Sequence, residues 1–346
     1  MKNALNAFAV DRRTFVAGSG TMAVGAALAG CGSPAGSDSS SDDSSNELTK
    51  LTFCLDWTPN TNHTGVYVAQ EKGYFADEGL EVAIVQPSED GAEAMVGTGQ
   101  AELGVSFQDY IANSLVSGNV NIQAVAAIIQ HNTSGIMSRK EDGITSARGM
   151  EDHVYATWEL PVEEATIRQV VEDDGGDFSK VKMVPNTIDD EVAGLKAGGI
   201  DTIWVYEGWS VQNAIVQDYP VNYFSFISID DVFDFYTPVI IANTEFCEKS
   251  PEVVKAFLRA VKKGYELAID KPDEAAEVLC QAVPELDAEL VAQSQSFLAG
   301  EYQSDAESWG EIDGKRWARF YQWLNDKGLV ENEIDVNAGW TMDYLS

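Results

Sequence analysis

Positive charge is scarce in this chain. Lysine and arginine together number 22 against 56 aspartates and glutamates in 346 residues, a formal net charge of −34 at pH 7. A surface of that sign repels phosphate, which excludes nucleic acid as a partner, and it gives no electrostatic hold on anionic lipid. It also disfavours a small anionic ligand at long range, although a local pocket can override a distant field. Cysteine is nearly absent: Cys31, Cys54, Cys247 and Cys280 are the four. Their spacing matches no metal motif, and the three after Cys31 are an odd number, which argues against a disulfide framework and for buried thiols. The three histidines, His63, His131 and His153, are scattered along the chain, so a histidine metal site is not expected. No cofactor is expected either. The uncharged run 15–29 is too short and too rich in glycine and alanine to span a bilayer securely.

What is present begins with targeting. Arg12-Arg13-Thr14-Phe15 precedes that uncharged run and resembles a twin-arginine export signal. Leu28-Ala29-Gly30-Cys31 resembles the lipobox of bacterial lipoproteins, in which the cysteine is acylated. The expectation is a signal over 1–31, lipidation at Cys31, and export to the outer face of the cell membrane. Residues 32–48 hold seven serines and three aspartates, the composition of a solvated tether.

The rest of the chain alternates strand-like and helix-like segments, which predicts an α/β fold. Apolar runs at 51–55, 81–85, 103–106, 122–129, 154–158, 181–184, 201–206, 223–227 and 238–242 read as strands. Between them, helices are predicted at 65–72, 91–96, 108–117, 161–172, 189–197 and 209–217. From Ser250 the chain turns helical: Ser250 suits an N-cap and Pro251 the first turn, while Val254, Phe257, Leu258, Val261 and Tyr265 recur at helical spacing. Further helices are predicted at 272–282, 288–298 and 314–327. About 300 residues after the tether favour two lobes over one. The expected division is 49–145 plus 240–346 for the first lobe and 146–239 for the second, with hinges near 143–150 and 236–243.

Polar and aromatic residues gather at the predicted strand ends, where α/β folds place ligands. The richest stretch, Leu55 to Gly65, contains Trp57, Asn60, Asn62 and His63 around Pro59. A Pro-Asn turn with Asn60 or Thr61 capping the next helix explains part of it. Other clusters hold Ser106 and Tyr110, Gln130, Trp158 and Glu163, Glu207 and Trp209, and Tyr236. Glu207 follows an apolar strand and is flanked by Tyr206 and Trp209. A carboxylate there is suited to an amino group and an adjacent ring nitrogen, with the aromatic rings stacking on the ligand.

The segments 55–80 (LDWTPNTNHTGVYVAQEKGYFADEGL), 155–165 (YATWELPVEEA), 201–209 (DTIWVYEGW) and 235–243 (FYTPVIIAN), with the helix 250–279 and the pair Trp309-Gly310, carry a resemblance. The chain resembles the substrate-binding proteins of ABC importers that collect thiamine pyrimidine precursors, related to the alkanesulfonate and nitrate binding proteins. The resemblance implies a two-lobe periplasmic-type (type II) binding fold that closes on a formylated or hydroxymethylated aminopyrimidine. It implies that Trp57, Asn60, Asn62, Trp158, Glu207 and Trp209 line the cleft, and that the partners are an ABC permease and its ATPase, with the chain itself a monomer. One alternative keeps the class and changes the ligand to an alkanesulfonate or nitrate-type anion. The other is an enzyme, since the fungal pyrimidine synthase of the same fold uses pyridoxal phosphate and consumes its own histidine with iron. At the corresponding stretch, 104–110, Ser106 stands for its lysine and Tyr110 for its histidine, and 232–236 has no cysteine. Without the lysine no Schiff base forms there, which implies a receptor rather than a catalyst.

Overall fold

The computed structural model describes residues 48–118, 121–186, 188 and 190–345; Arg12, Arg13, Cys31 and the tether up to residue 47 lie outside the described residues. In chain order the strands are β1 (Thr49–Cys54), β2 (Leu80–Val85), β3 (Leu103–Ser106), β4 (Ile122–Ala127), β5 (Ser134–Arg139), β6 (Val154–Thr157), β7 (Lys182–Pro185), β8 (Thr202–Tyr206), β9 (Val221–Ser225) and β10 (Val239–Asn243). They form two five-stranded sheets, β2-β1-β3-β10-β4 and β7-β6-β8-β5-β9. Both are mixed. In the first, β1 runs parallel to β2 and β3 while β10 is antiparallel to β3 and β4. In the second, β6 runs parallel to β7 and β8 while β5 is antiparallel to β8 and β9.

Every apolar run read as a strand is a strand, with ends shifted by at most a few residues. The predictions are corrected at β5. The sequence Ser-Gly-Ile-Met-Ser-Arg carries too little apolar character to read as a strand, yet β5 is buried almost throughout and lies between β8 and β9. Gly135 is required there, since a Cβ would stand 2.7 Å from the Tyr223 ring and closer still to the Phe224 carbonyl. The chain therefore leaves the first sheet after β4 and enters the second at Ser134, earlier than the expected 143–150. It returns between β9 and β10. The two crossings lie side by side, Ile128 N donating to Pro238 O at 3.1 Å.

The helix Pro251–Asp270 buries Val254, Phe257, Leu258, Val261, Tyr265 and Ala268, the stripe its spacing predicts. Phe257 stacks on Phe53 and Phe75, each at 5.3 Å, which seats the helix on the first sheet. Burying each such ring is worth about 1.5–3 kcal/mol. The same helix meets Thr64–Glu71 at Gly264 and Gly65, whose backbones approach too closely for any Cβ at Gly264. Ser250 occupies the N-cap position but makes no side-chain capping bond; Pro251 at the first turn is as predicted. The predicted helix 209–217 begins instead as a π turn, Glu207–Val211, before Gln212–Val216.

Candidate ligand-binding site

A cavity of about 610 Å³ opens where the C-terminal ends of β1, β3, β6, β7 and β8 converge. Residues after β1 (Asp56, Trp57, Asn60, Asn62) and β3 (Phe107, Asp109, Tyr110) form one wall. Trp158, Leu160, Val162, Glu163, Asn186, Ile188, Glu191, Trp204, Tyr206, Trp209 and Ser210 form the other, and Phe235, Thr237 and Pro238 form the floor at the return crossing. This is the topological position at which open α/β sheets bind ligands.

The first wall is fixed by local hydrogen bonds. Asn60 caps the short turn Thr61–His63, its Oδ1 accepting from Asn62 N at 2.9 Å, and it also faces the cavity. His63 is fully buried behind it. Its Nδ1 accepts from Asn60 N (3.2 Å), which leaves the proton on Nε2 to be donated to Asp56 Oδ1 (2.6 Å). His63 thus orients Asp56 and the turn but does not reach the cavity. The turn is bolted to the C-terminal helices by Tyr302 OH to Thr61 O (2.7 Å), Tyr265 OH to Asn62 O (2.6 Å) and Thr61 Oγ1 with Ser294 Oγ (2.6 Å).

On the second wall Glu163 is 3 % exposed and accepts from Tyr155 OH (2.5 Å), Thr157 Oγ1 (3.0 Å) and Trp158 N (2.9 Å). Its carboxylate ties the strand end to the first turn of the helix Pro161–Asp173 and holds the backbone that presents Trp158. Trp158 is 43 % exposed and leans on Trp204 at 5.7 Å; across the cavity Trp57 is 50 % and Tyr110 42 % exposed. Large aromatic rings left open to a concave site are the usual platforms for a flat ligand.

Among the described residues four carboxylates line the cavity, Asp56, Asp109, Glu163 and Glu191, and no lysine or arginine does. Burial pushes the Asp109 carboxyl up to about 6, with the negative charge of Glu93 adding to the shift. Burial also raises Glu191, with Asp190 adding to it and Ser210 opposing it by a hydrogen bond. The tyrosines Tyr110 and Tyr206 are raised by burial first and by neighbouring acids second.

Of the residues predicted from sequence, Trp57, Asn60, Asn62, Tyr110, Trp158, Glu163 and Trp209 lie on the cavity wall. Five do not, and each is engaged elsewhere. Besides His63, Ser106 donates to Glu93 Oε1 at 2.5 Å behind the wall. Gln130 bonds Glu311 O at 2.8 Å and accepts from Arg316 on its own carbonyl. Tyr236 is fully buried, its hydroxyl accepting from Asp313 N at 2.7 Å while Arg316 covers its ring. Glu207 is turned away by the π turn: its N–H bonds Thr133 O at 2.9 Å, and its carboxyl, raised chiefly by burial and then by Glu301, sits among Glu301 and Tyr223. Tyr206, read from the sequence as a flanking ring of Glu207, also lines the cavity, whereas Asp56, Asp109, Glu191, Trp204 and Phe235 line it but were not singled out from the sequence. Asp109 sits in the first turn of a helix, where an acid is ordinary, so nothing in the pattern flags it.

Solved structures share this fold. The alkanesulfonate-binding protein SsuA from Xanthomonas axonopodis pv. citri, bound to MOPS, superposes with a TM-score of 0.65 at 10% identity, covering 85% of this chain and 99% of that one. The aliphatic sulphonate binding protein SsuA from Escherichia coli gives 0.66 at 12% identity, covering 84% and 97%. At such identities they establish the periplasmic binding-protein fold and nothing of the ligand. Sequence relatives are nearer. The formylaminopyrimidine-binding protein of Halalkalibacterium halodurans is 29% identical over 311 residues, covering 86% of this chain and 90% of the relative. The 4-amino-5-hydroxymethyl-2-methylpyrimidine phosphate synthase THI11 of Saccharomyces cerevisiae is 25% identical over 312 residues, covering 86% and 88%. The family model described as NMT1/THI5 like matches residues 60–275, more than half of the sequence, and the chain belongs to that family.

Proposed function

We propose that this chain is the solute receptor of an ABC importer, exported and lipid-anchored through Cys31, and that its cleft captures an aminopyrimidine precursor of thiamine. The observation that carries the reading is the make-up of the cavity among the described residues: open aromatic rings on both walls, four carboxylates, and no lysine or arginine. An anion receptor needs arginines or well-aimed helix N-termini. A flat heterocycle bearing an exocyclic amine fits instead, its faces stacked between rings and its donors met by carboxylate oxygens. The formylaminopyrimidine for which the Halalkalibacterium halodurans relative is named supports the same ligand class. Capture proceeds by closure of the two sheets' lobes about the paired crossings 128–133 and 226–238, with no bond made or broken. The synthase reading lacks support at the wall, since among the described residues no lysine lines the cavity to hold pyridoxal phosphate as a Schiff base.

Isothermal titration of the full chain tests this. Hydroxymethyl-aminopyrimidine and its formylaminomethyl analogue are expected to bind, and taurine is not. Binding of taurine without binding of either pyrimidine overturns the ligand assignment.

A further inference from the structure

We infer that the cleft takes its ligand as a monocation, and that Asp109 is the counter-charge that selects for it. The inference rests on the ligand reading above and deepens it.

The carboxylates on the wall differ in what they already hold. Asp56 receives a hydrogen bond from His63, Glu163 receives three or more, and Glu191 has Ser210. Among the described residues Asp109 has no side-chain donor; the backbone N–H groups of its own turn, its own and that of Tyr110, are what favour its charge. The groups that face it from neighbouring elements are Glu93 on the helix Gly91–Gly97, Tyr110 beside it, Tyr206 at the end of β8 and Tyr321 on the helix Gly314–Asp326. Glu93 is a carboxylic acid and the tyrosines are neutral hydroxyls, so none supplies a positive charge. A carboxylate withdrawn from bulk water, with Glu93 near and no cation to meet it, is costly in the ligand-free protein. A ligand that brings one positive charge removes that cost, and the open faces of Trp57, Trp158 and Tyr110 favour the same charge through their π-systems. The burial-raised carboxyl of Asp109 is consistent with a group waiting for a cationic partner. A ring nitrogen of an aminopyrimidine can accept a proton and so meet this demand. Its phosphate ester keeps that nitrogen but adds about one to two negative charges, which cancel the ring's positive charge and meet the wall carboxylates.

The experiment is isothermal titration of the full chain and of the Asp109→Asn and Asp109→Glu variants, run at pH 7.5 in two buffers of different ionisation heat. The probes are hydroxymethyl-aminopyrimidine, its phosphate ester, and a permanently charged N-methylated aminopyrimidinium. Circular dichroism confirms that the variants are folded. For the unsubstituted chain, the expected result is proton uptake approaching one per aminopyrimidine, binding of the N-methylated cation without proton uptake, and no binding of the phosphate ester. Asp109→Asn is expected to weaken both monocations by about 10- to 100-fold, the range for a hydrogen bond to a charged group, and Asp109→Glu to restore part of it. Aminopyrimidine binding without proton uptake and unchanged by Asp109→Asn overturns the inference while leaving the ligand reading intact. Failure of the aminopyrimidine with retained, Asp109-dependent binding of the N-methylated cation overturns the ligand reading and leaves the inference standing.

Discussion

The two walls of the cavity use carboxylates in opposite ways. On the second-sheet wall Glu163 is saturated: a tyrosine hydroxyl, a threonine hydroxyl and the Trp158 N–H all converge on it. On the first-sheet wall Asp109 holds only the N–H groups of its own helical turn. A saturated buried carboxylate builds structure, because its charge is already met by donors that would be stranded without it. An unsaturated one stores an unmet demand, and in a concave site that demand is available to a ligand. Being acidic and being on the wall does not distinguish the two; the count of donors does.

The largest effect is therefore expected at Glu163. Glu163→Ala strands Tyr155 OH, Thr157 Oγ1 and the Trp158 N–H inside the protein. We expect a loss of about 3–5 kcal/mol of unfolding free energy, read as a lowered urea midpoint. A loss below about 1 kcal/mol would show that the second wall is held by packing alone and would remove one side of the contrast.

Asp109 should respond with the opposite sign. Its carboxyl titrates near 6 in the folded chain, above the ordinary aspartate value of 3.8. The folded state thus holds the proton more tightly than the unfolded state does. Its contribution is most favourable at low pH, is lost as pH rises through about 4 to 6, and remains a fixed cost above that. Asp109→Asn is expected to stabilise the ligand-free protein by about 1–2 kcal/mol at pH 7.5, discounted from the full shift because cavity water screens the charge. The gain should shrink towards zero below pH 4. Thermal melts across pH check it, and a destabilised variant would show that the carboxylate is structurally engaged after all.

Trp158 stands between the two cases, since its backbone is held by Glu163 while its ring is open. Trp158→Ala should weaken aminopyrimidine binding by about tenfold, the worth of one aromatic stack, with little change in the urea midpoint. A large fall in stability with unchanged affinity would assign the ring to the core.

Much of this was legible in the sequence. The periodicity of Pro251–Asp270, the strand runs and the polar strand ends are local signals, and the structure follows them. What escaped was set by tertiary context. Strand β5 reads as Ser-Gly-Ile-Met-Ser-Arg because its neighbours cover it and demand a glycine against Phe224, not because its own pattern is strand-like. Missing β5 also misplaced the first crossing. Asp56 and Asp109 escaped because acids beside a turn or in a first helical turn are commonplace, and what each one meets, His63 for Asp56 and no cation for Asp109, is a property of the folded surroundings. Ser106, Gln130 and Tyr236 were chosen for lying at strand ends, where polar groups also serve to join segments distant in the chain; each bonds a residue that sequence alone does not bring near.

Glu207 gives the finest test, because its sequence context made it the foremost recognition carboxylate. It sits between Tyr206 and Trp209, both on the cavity wall, yet the π turn that starts at Glu207 sends its side chain towards Glu301 and Tyr223. Neutralising it should leave the ligand untouched and relieve repulsion with Glu301. Glu207→Gln is accordingly expected to change aminopyrimidine affinity by less than about twofold and to raise stability by at most about 0.5 kcal/mol, the range of substitutions remote from a site. A tenfold loss of affinity would mean that closure rotates this turn and brings Glu207 into the cleft, so that the second wall, too, carries a carboxylate whose demand only the ligand meets.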